Sequence, residues 1–154
     1  QIEQATNDGQ IRRFTGNDYL QDIENGNFAA CIAWSGDIAQ SPNPDVRFVF
    51  PEEGAMSWFD TMVIPIGAPN GVAAARWMDY VYDPPIAAQI ADYIYYVSPV
   101  EGIKEEIAKL DPGAESNPLL FPPPEVVANS HNFQFLSDEL EAKMNELFAT
   151  LSGT

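Results

Sequence analysis

Short apolar, β-branched or aromatic runs alternate with segments of helical periodicity, and this alternation predicts an α/β fold with a mixed sheet and flanking helices. Two further observations bound that prediction. The 154 residues, 45% hydrophobic and 12% aromatic, suffice for one sizeable core and fall short of two. Glycine and proline are spread along the chain, no repeat period emerges and no window has the length and apolarity of a membrane span, which argues against disordered, fibrous and transmembrane classes.

Taken in order, residues 9–14 are expected as a strand and residues 17–23 as a short helix stopped by the turn signal Asn25-Gly26. The run Phe28-Ala29-Ala30-Cys31-Ile32-Ala33-Trp34 reads as a buried strand, broken by Ser35-Gly36-Asp37, which opens another short helix. Residues 46–50 read as a strand and Glu52-Glu53-Gly54 as a turn. Residues 56–59 and 62–66 are apolar and extended, with Asp60 planted between them. Asn70 caps a helix through Ala73, Trp77 and Tyr80, and Asp83-Pro84 opens a second helix to about Ala91. Residues 93–97 are aromatic and β-branched enough for a strand, whereas Val100, Ile103, Ile107 and Leu110 fall at helical spacing. Residues 118–124 form a proline-rich surface stretch. A last helix carries Leu136, Leu140, Met144, Leu147, Phe148 and Leu151 on one stripe.

Seven basic residues against 23 acidic ones leave a formal net charge of −16, so a nucleic acid or anionic membrane is not an expected partner, while a small cation would be drawn inward. The lone Cys31 is expected as a small core residue and allows no intrachain disulfide. His131, the only histidine, is expected in a loop, and with no second His or nearby Cys it supports neither a metal site nor a Ser-His dyad. Glu101, Glu105 and Glu106 with Lys104 and Lys109 read as a solvated helix face on which Glu105 attracts Lys109. No phosphate loop, nucleophile elbow or zinc spacing is present, and no cofactor is expected.

The informative chemistry lies at strand-to-loop junctions, where α/β folds place their ligands: Trp34 with Asp37, Trp58 with Asp60, and Tyr96. A carboxylate beside an indole face suits an alkylammonium group, the acid supplying a charge-assisted hydrogen bond and the ring an attractive quadrupole. When dry these contribute about 1.5–3 and about 2 kcal/mol respectively. Taken singly, an aromatic at a strand end is ordinary packing and Asp37 an ordinary helix-terminal residue. Asp60, between Phe59 and Met62, is costly to bury unpaired, so it is placed either at a wet surface or opposite a cation.

Ile32-Ala33-Trp34-Ser35-Gly36-Asp37, followed by Pro51-Glu52-Glu53-Gly54-Ala55-Met56-Ser57-Trp58-Phe59-Asp60, resembles the periplasmic spermidine/putrescine-binding proteins. The likeness continues through Ile64-Pro65, Asp79-Tyr80-Val81-Tyr82-Asp83-Pro84, Tyr95-Tyr96 and Phe121-Pro122-Pro123-Pro124-Glu125-Val126, and so covers nearly the whole chain. It implies a periplasmic binding protein type II-like fold, in which two lobes close over a polyamine that is then delivered to the permease of an ABC transporter. It also implies Trp34, Asp37, Trp58, Asp60 and Tyr96 as ligand contacts, with Gln134 as a looser sixth. Asp37 in the Trp-Ser-Gly-Asp motif is closer to the putrescine-preferring members.

The family's chains begin with a further stretch longer than this one, so the resemblance implies the C-terminal part of a two-lobe fold. Residues 1–60 are then expected in the second lobe, 61–94 in an excursion belonging to the first, and 95–154 back in the second with the last helix. An uncovered excursion would expose an apolar face, which is expected to meet a missing N-terminal half or a second copy. Two other readings use the same residues: a carrier of another small amine or organic ion, and a glycoside hydrolase using Asp37 and Asp60 as its carboxylate pair with a sugar on Trp34 and Trp58.

Overall fold

The structure, a computed structural model, describes residues 1–153. Its elements run α1 (Ile2–Asn7), α2 (Tyr19–Glu24), α3 (Ser35–Ala39), β1 (Ala55–Ser57), α4 (Gly71–Val81), α5 (Pro84–Ile94), α6 (Ile103–Leu110), a 3-10 turn (Ala114–Ser116), α7 (Pro124–Ala128), β2 (Ser130–Asn132) and α8 (Asp138–Ser152). They gather into two compact units, one built from Gln1–Ala33 together with the chain from Phe133 onward, the other from Trp34–Asn132. Helices with a small parallel sheet make the chain α/β.

The core of the larger unit sits between α5 and α6. Asp83 is extended and Pro84 takes the first helical position, where its missing N–H costs nothing, so α5 starts where its sequence signal places it. Ala87, Ala88 and Ala91 then recur on one face and are buried against Ile103 and Ile107 of α6, with Ala114 and Leu120 closing the cluster and Tyr95, Val100 and Phe121 packed around it. Small alanines let the helices approach closely, and each fully buried aliphatic side chain contributes about 1.5–3 kcal/mol. On the outer face of α6 the ion pair is Lys109 with Glu106 at 2.6 Å, one turn position away from the expected Glu105. Both spacings bring side chains together on a helix.

Helix and strand alternation was only half realised. Residues 9–14, 28–34, 46–50 and 93–97 do not form the expected strands. The sheet among the described residues is the parallel pair β1 and β2, with Ala55 opposite Ser130, Met56 opposite His131 and Ser57 opposite Asn132. A strand exists only through a ladder, and an apolar pattern without a neighbouring backbone is not enough. Ile32, Val49 and Val97 accordingly lie exposed, and Cys31, expected in the core, is exposed with them. In the fourth case the helix won: packing of Ala91 carries α5 on to Ile94, and the chain leaves through Tyr95 in the left-handed region at φ 56°. β2 also corrects the expectation for His131, which stands in a strand rather than a loop.

In the smaller unit, Tyr19 of α2 is buried. Arg13 bridges Asp18 at 3.3 Å and Asp22 at 2.6 Å, tying the approach of α2 to its first turn. α8 begins on Ser137, whose hydroxyl accepts from the Leu140 N–H, and ends on Gly153 at φ 75°, where the lack of a Cβ permits the left-handed cap. Phe148 meets Phe14 edge to face at 5.0 Å, while Leu140, Met144 and Leu147 of the expected stripe remain exposed. No described helix is long and apolar enough to cross a membrane.

The core assignment is checked by Ile107→Ala, expected to destabilise the chain by about 2–5 kcal/mol in urea unfolding, against a change within about 0.5 kcal/mol for Val127→Ala on the exposed face of α7. Equal effects of the two would refute it.

Candidate functional site

Four of the six expected site residues come together in the larger unit. Trp34 is the extended N-cap of α3, and its carbonyl accepts from the Ile38 N–H at 3.3 Å. Asp37 stands in the first turn of the same helix, half-buried. Trp58 follows β1 directly. Tyr96 follows Tyr95, whose N–H donates to the Ala91 carbonyl at 2.8 Å.

The placement of Trp58 rests on a turn. Gly54 has φ 107°, and any Cβ there would run into the Asn129 carbonyl, so only glycine lets the turn lie against the end of α7. Asn129 Nδ2 donates to the Glu52 carbonyl at 2.9 Å, His131 Nε2 lies 3.4 Å from the Glu53 carbonyl, and the Ser57 hydroxyl bonds the Asn132 side chain. These contacts hold β1 in register with β2 up to the residue before Trp58.

The three rings then form an edge-to-face ladder. Trp34 and Trp58 lie 5.7 Å apart at 81°, Trp58 and Tyr96 5.3 Å apart at 72°. This arrangement sets the electropositive edge of one ring on the electronegative face of the next and is worth about 0.5–1.5 kcal/mol per pair beyond area burial. Trp34 is 40% exposed and Trp58 38%, so indole surface remains open to a ligand. Burial pushes the Tyr96 hydroxyl above the ordinary tyrosine range, the Asp37 carboxylate pushes it further by opposing a second negative charge, and a hydrogen bond from the Gly36 backbone partly offsets both. Asp37 therefore acts electrostatically on the ladder's last ring.

Asp60 is exposed, two residues beyond Trp58 and thus within about 7 Å of it along the chain. Gln134 is exposed in the smaller unit, apart in the chain from the other five. Two grooves of the larger unit lie elsewhere: one of about 410 Å³ is lined by Met62, Val63, Ile64, Ala74, Trp77 and Met78, another of about 250 Å³ by the turn at Gly54 and by α7. The ladder is an open face rather than an enclosed pocket. Among the described residues no group of three or more His, Cys, Asp or Glu is arranged to hold a metal ion.

Reading the sequence missed two contributors. Gly36 served there only as a strand breaker, yet a Cβ on it would stand 2.7 Å from both the Ile94 carbonyl and the Tyr96 ring. Tyr95 was read as a strand residue, whereas its left-handed turn directs Tyr96. A glycine lying between Trp34 and Asp37 in a helix's first turn was the one available signal for Gly36; nothing local marked Tyr95.

A ladder of open aromatic faces with a carboxylate beside it is chemically suited to holding a small cation. Residues 5–125 match the bacterial extracellular solute-binding proteins, and the chain belongs to that family. It is 31% identical over 126 residues to the putrescine-binding periplasmic protein PotF of Escherichia coli (strain K12), covering 77% of this chain and 33% of that one. To the putrescine-binding periplasmic protein SpuD of Pseudomonas aeruginosa it is 28% identical over 151 residues, or 93% and 40%. A putrescine/agmatine-binding protein of Pseudomonas aeruginosa is 24% identical over 139 residues, or 85% and 37%. The chain thus spans about a third to two fifths of the length of these relatives.

The Asp37–Tyr96 relation predicts a spectroscopic outcome. Because the folded phenol titrates above its unfolded value of about 10, the stability linked to it is complete below that pH and is lost as pH rises through the raised value. Absorbance titration at 295 nm should show a late tyrosine component that disappears in Tyr96→Phe. In Asp37→Asn its midpoint should fall part of the way back, burial being the larger cause. No movement in Asp37→Asn would separate the two groups.

Proposed function

We propose that this chain supplies part of the ligand site of a periplasmic polyamine-binding protein that carries its cargo, without chemical change, to the permease of an ABC transporter. A diamine of putrescine type is the favoured cargo. The observation that carries the reading is the Trp34–Trp58–Tyr96 ladder with Asp37 acting on Tyr96. Open indole faces attract an ammonium group through their quadrupole, and a neighbouring carboxylate adds a charge-assisted hydrogen bond. The net charge of −16 draws a cation toward the protein, and the names of the relatives supply the class of cargo.

In this reading the fold is of periplasmic binding protein type II, with residues 1–60 in the second lobe, 61–94 in the first and 95–154 back in the second. Asp60 holds the far ammonium group of the diamine, and Gln134 adds a polar contact. The apolar groove around Trp77 belongs to the excursion and supports covering of that face by an N-terminal half or a second copy. Closure of the lobes about a hinge would bury the open side of the ladder on the ligand.

A second reading keeps the architecture and changes the cargo to another small amine or organic ion, favoured by the relative named for both putrescine and agmatine. Calorimetric titration with putrescine, cadaverine, spermidine, spermine and agmatine, with butanediol as the neutral control, separates the two. Saturable binding of a diamine but not of the diol supports the first, and preference for a guanidinium or carboxylated ligand supports the second. Asp60→Asn is expected to weaken putrescine binding at least tenfold, about 1.4 kcal/mol, in the same titration; unchanged affinity would remove Asp60 from the site.

A further inference from the structure

The first turn of α3 carries a glycine that local preference does not explain. Gly36 is buried within a helix, where alanine is the better helix former, and its φ is not in the left-handed region, so conformational freedom is not the reason for it. Space is the reason. A Cβ on Gly36 would stand 2.7 Å from the Ile94 carbonyl, 2.7 Å from Tyr96 Cε2 and 2.8 Å from Tyr96 Cζ, closer than real Cβ contacts come. The Ile94 carbonyl cannot easily retreat, because it ends a helix whose preceding turn, at Ala91, is packed in the core. Any larger residue at 36 must therefore displace the Tyr96 ring or move α3 away from α5.

The partner in this contact is unusual as well. Tyr95 is the one described residue other than glycine with positive φ, an arrangement that costs free energy and persists only where its surroundings enforce it. It is partly buried against the α5–α6 core, and its left-handed turn is what brings the next residue, Tyr96, back over Gly36. A side chain removed at 36 and a strained backbone at 95 converge on the same ring.

We propose that Gly36 and Tyr95 are positioning residues that seat the Tyr96 ring between α3 and Trp58, and so set the geometry of the ligand face. The ring's place in that face rests on the reading of the ladder as a ligand site; the seat itself does not. Seated, Tyr96 meets Trp58 edge to face at 5.3 Å and feels the Asp37 carboxylate. Unseated, it loses both neighbours, and the end of the ladder opens without any change in a ligand-contacting side chain.

The test is Gly36→Ala in the full chain, read first without ligand. With helical far-UV circular dichroism retained, the late tyrosine assigned by Tyr96→Phe should return toward the ordinary range, and the tryptophan emission should change as Trp58 loses its neighbour. A late tyrosine that stays where it was would overturn the seat. If Gly36→Ala does not fold, Tyr95→Val asks the same question from the other side, because a β-branched residue resists the left-handed region: the same fall in midpoint supports the seat and an unmoved midpoint overturns it. Putrescine calorimetry then adds the functional arm. Weakening of tenfold or more in Gly36→Ala extends the seat to ligand geometry, whereas full affinity alongside a displaced Tyr96 overturns that extension. If the parent chain binds no amine, this chain alone is not a complete receptor, and the tyrosine midpoint alone decides the seat.

Discussion

The alanine face of α5 on Ile103 and Ile107 of α6 is the contact on which the rest of the larger unit depends. It is the one extended buried cluster among the described residues, and it decides where α5 stops. Because Ala91 is held in it, the helix persists through Ile94, the turn at Tyr95 becomes left-handed, and Tyr96 is delivered to α3. A site residue thus owes its position to apolar packing that contains no site residue.

A second constraint acts from the opposite end of the ladder. Trp58 hangs on a three-residue strand, too short to be stable alone, and is held by the turn at Gly54 and by the hydrogen bonds of Asn129, His131 and Ser57. Both anchors are backbone devices: a glycine that admits a carbonyl, a short ladder, a left-handed cap. The aromatic rings are placed by them and then add their own edge-to-face attraction.

The exposed apolar surface fits a chain that spans about a third to two fifths of its relatives. Residues 28–34 and 46–50 have the composition of buried strands and lie without ladders, and the groove around Trp77 and Met78 is apolar and open. A strand-like sequence stays unpaired where no second backbone lies beside it.

The segments whose causes are local were legible in the sequence. α2 with its Asn25-Gly26 stop, α4 after Asn70, α5 after Asp83-Pro84, α6 with its apolar spacing and α8 with its stripe stand where turn signals, Pro at the first helical position and periodicity place them, although neither Asn70 nor Asp83 makes a side-chain cap hydrogen bond. The aromatic and acidic residues at 34, 37, 58 and 96 were likewise visible as a chemical type. Tertiary structure alone decided which apolar runs became strands, since a ladder needs a second backbone; it moved Cys31 from an expected core to the surface and His131 from an expected loop into β2. It alone brought Trp34 within 5.7 Å of Trp58 and Trp58 within 5.3 Å of Tyr96, and set Gly36 and Tyr95 as the support of the last ring. The physical reason is the same throughout: caps and helical faces are written in residues three or four apart, whereas close approach between α3, α5 and β1 depends on residues up to 60 positions apart, whose spacing no local pattern records.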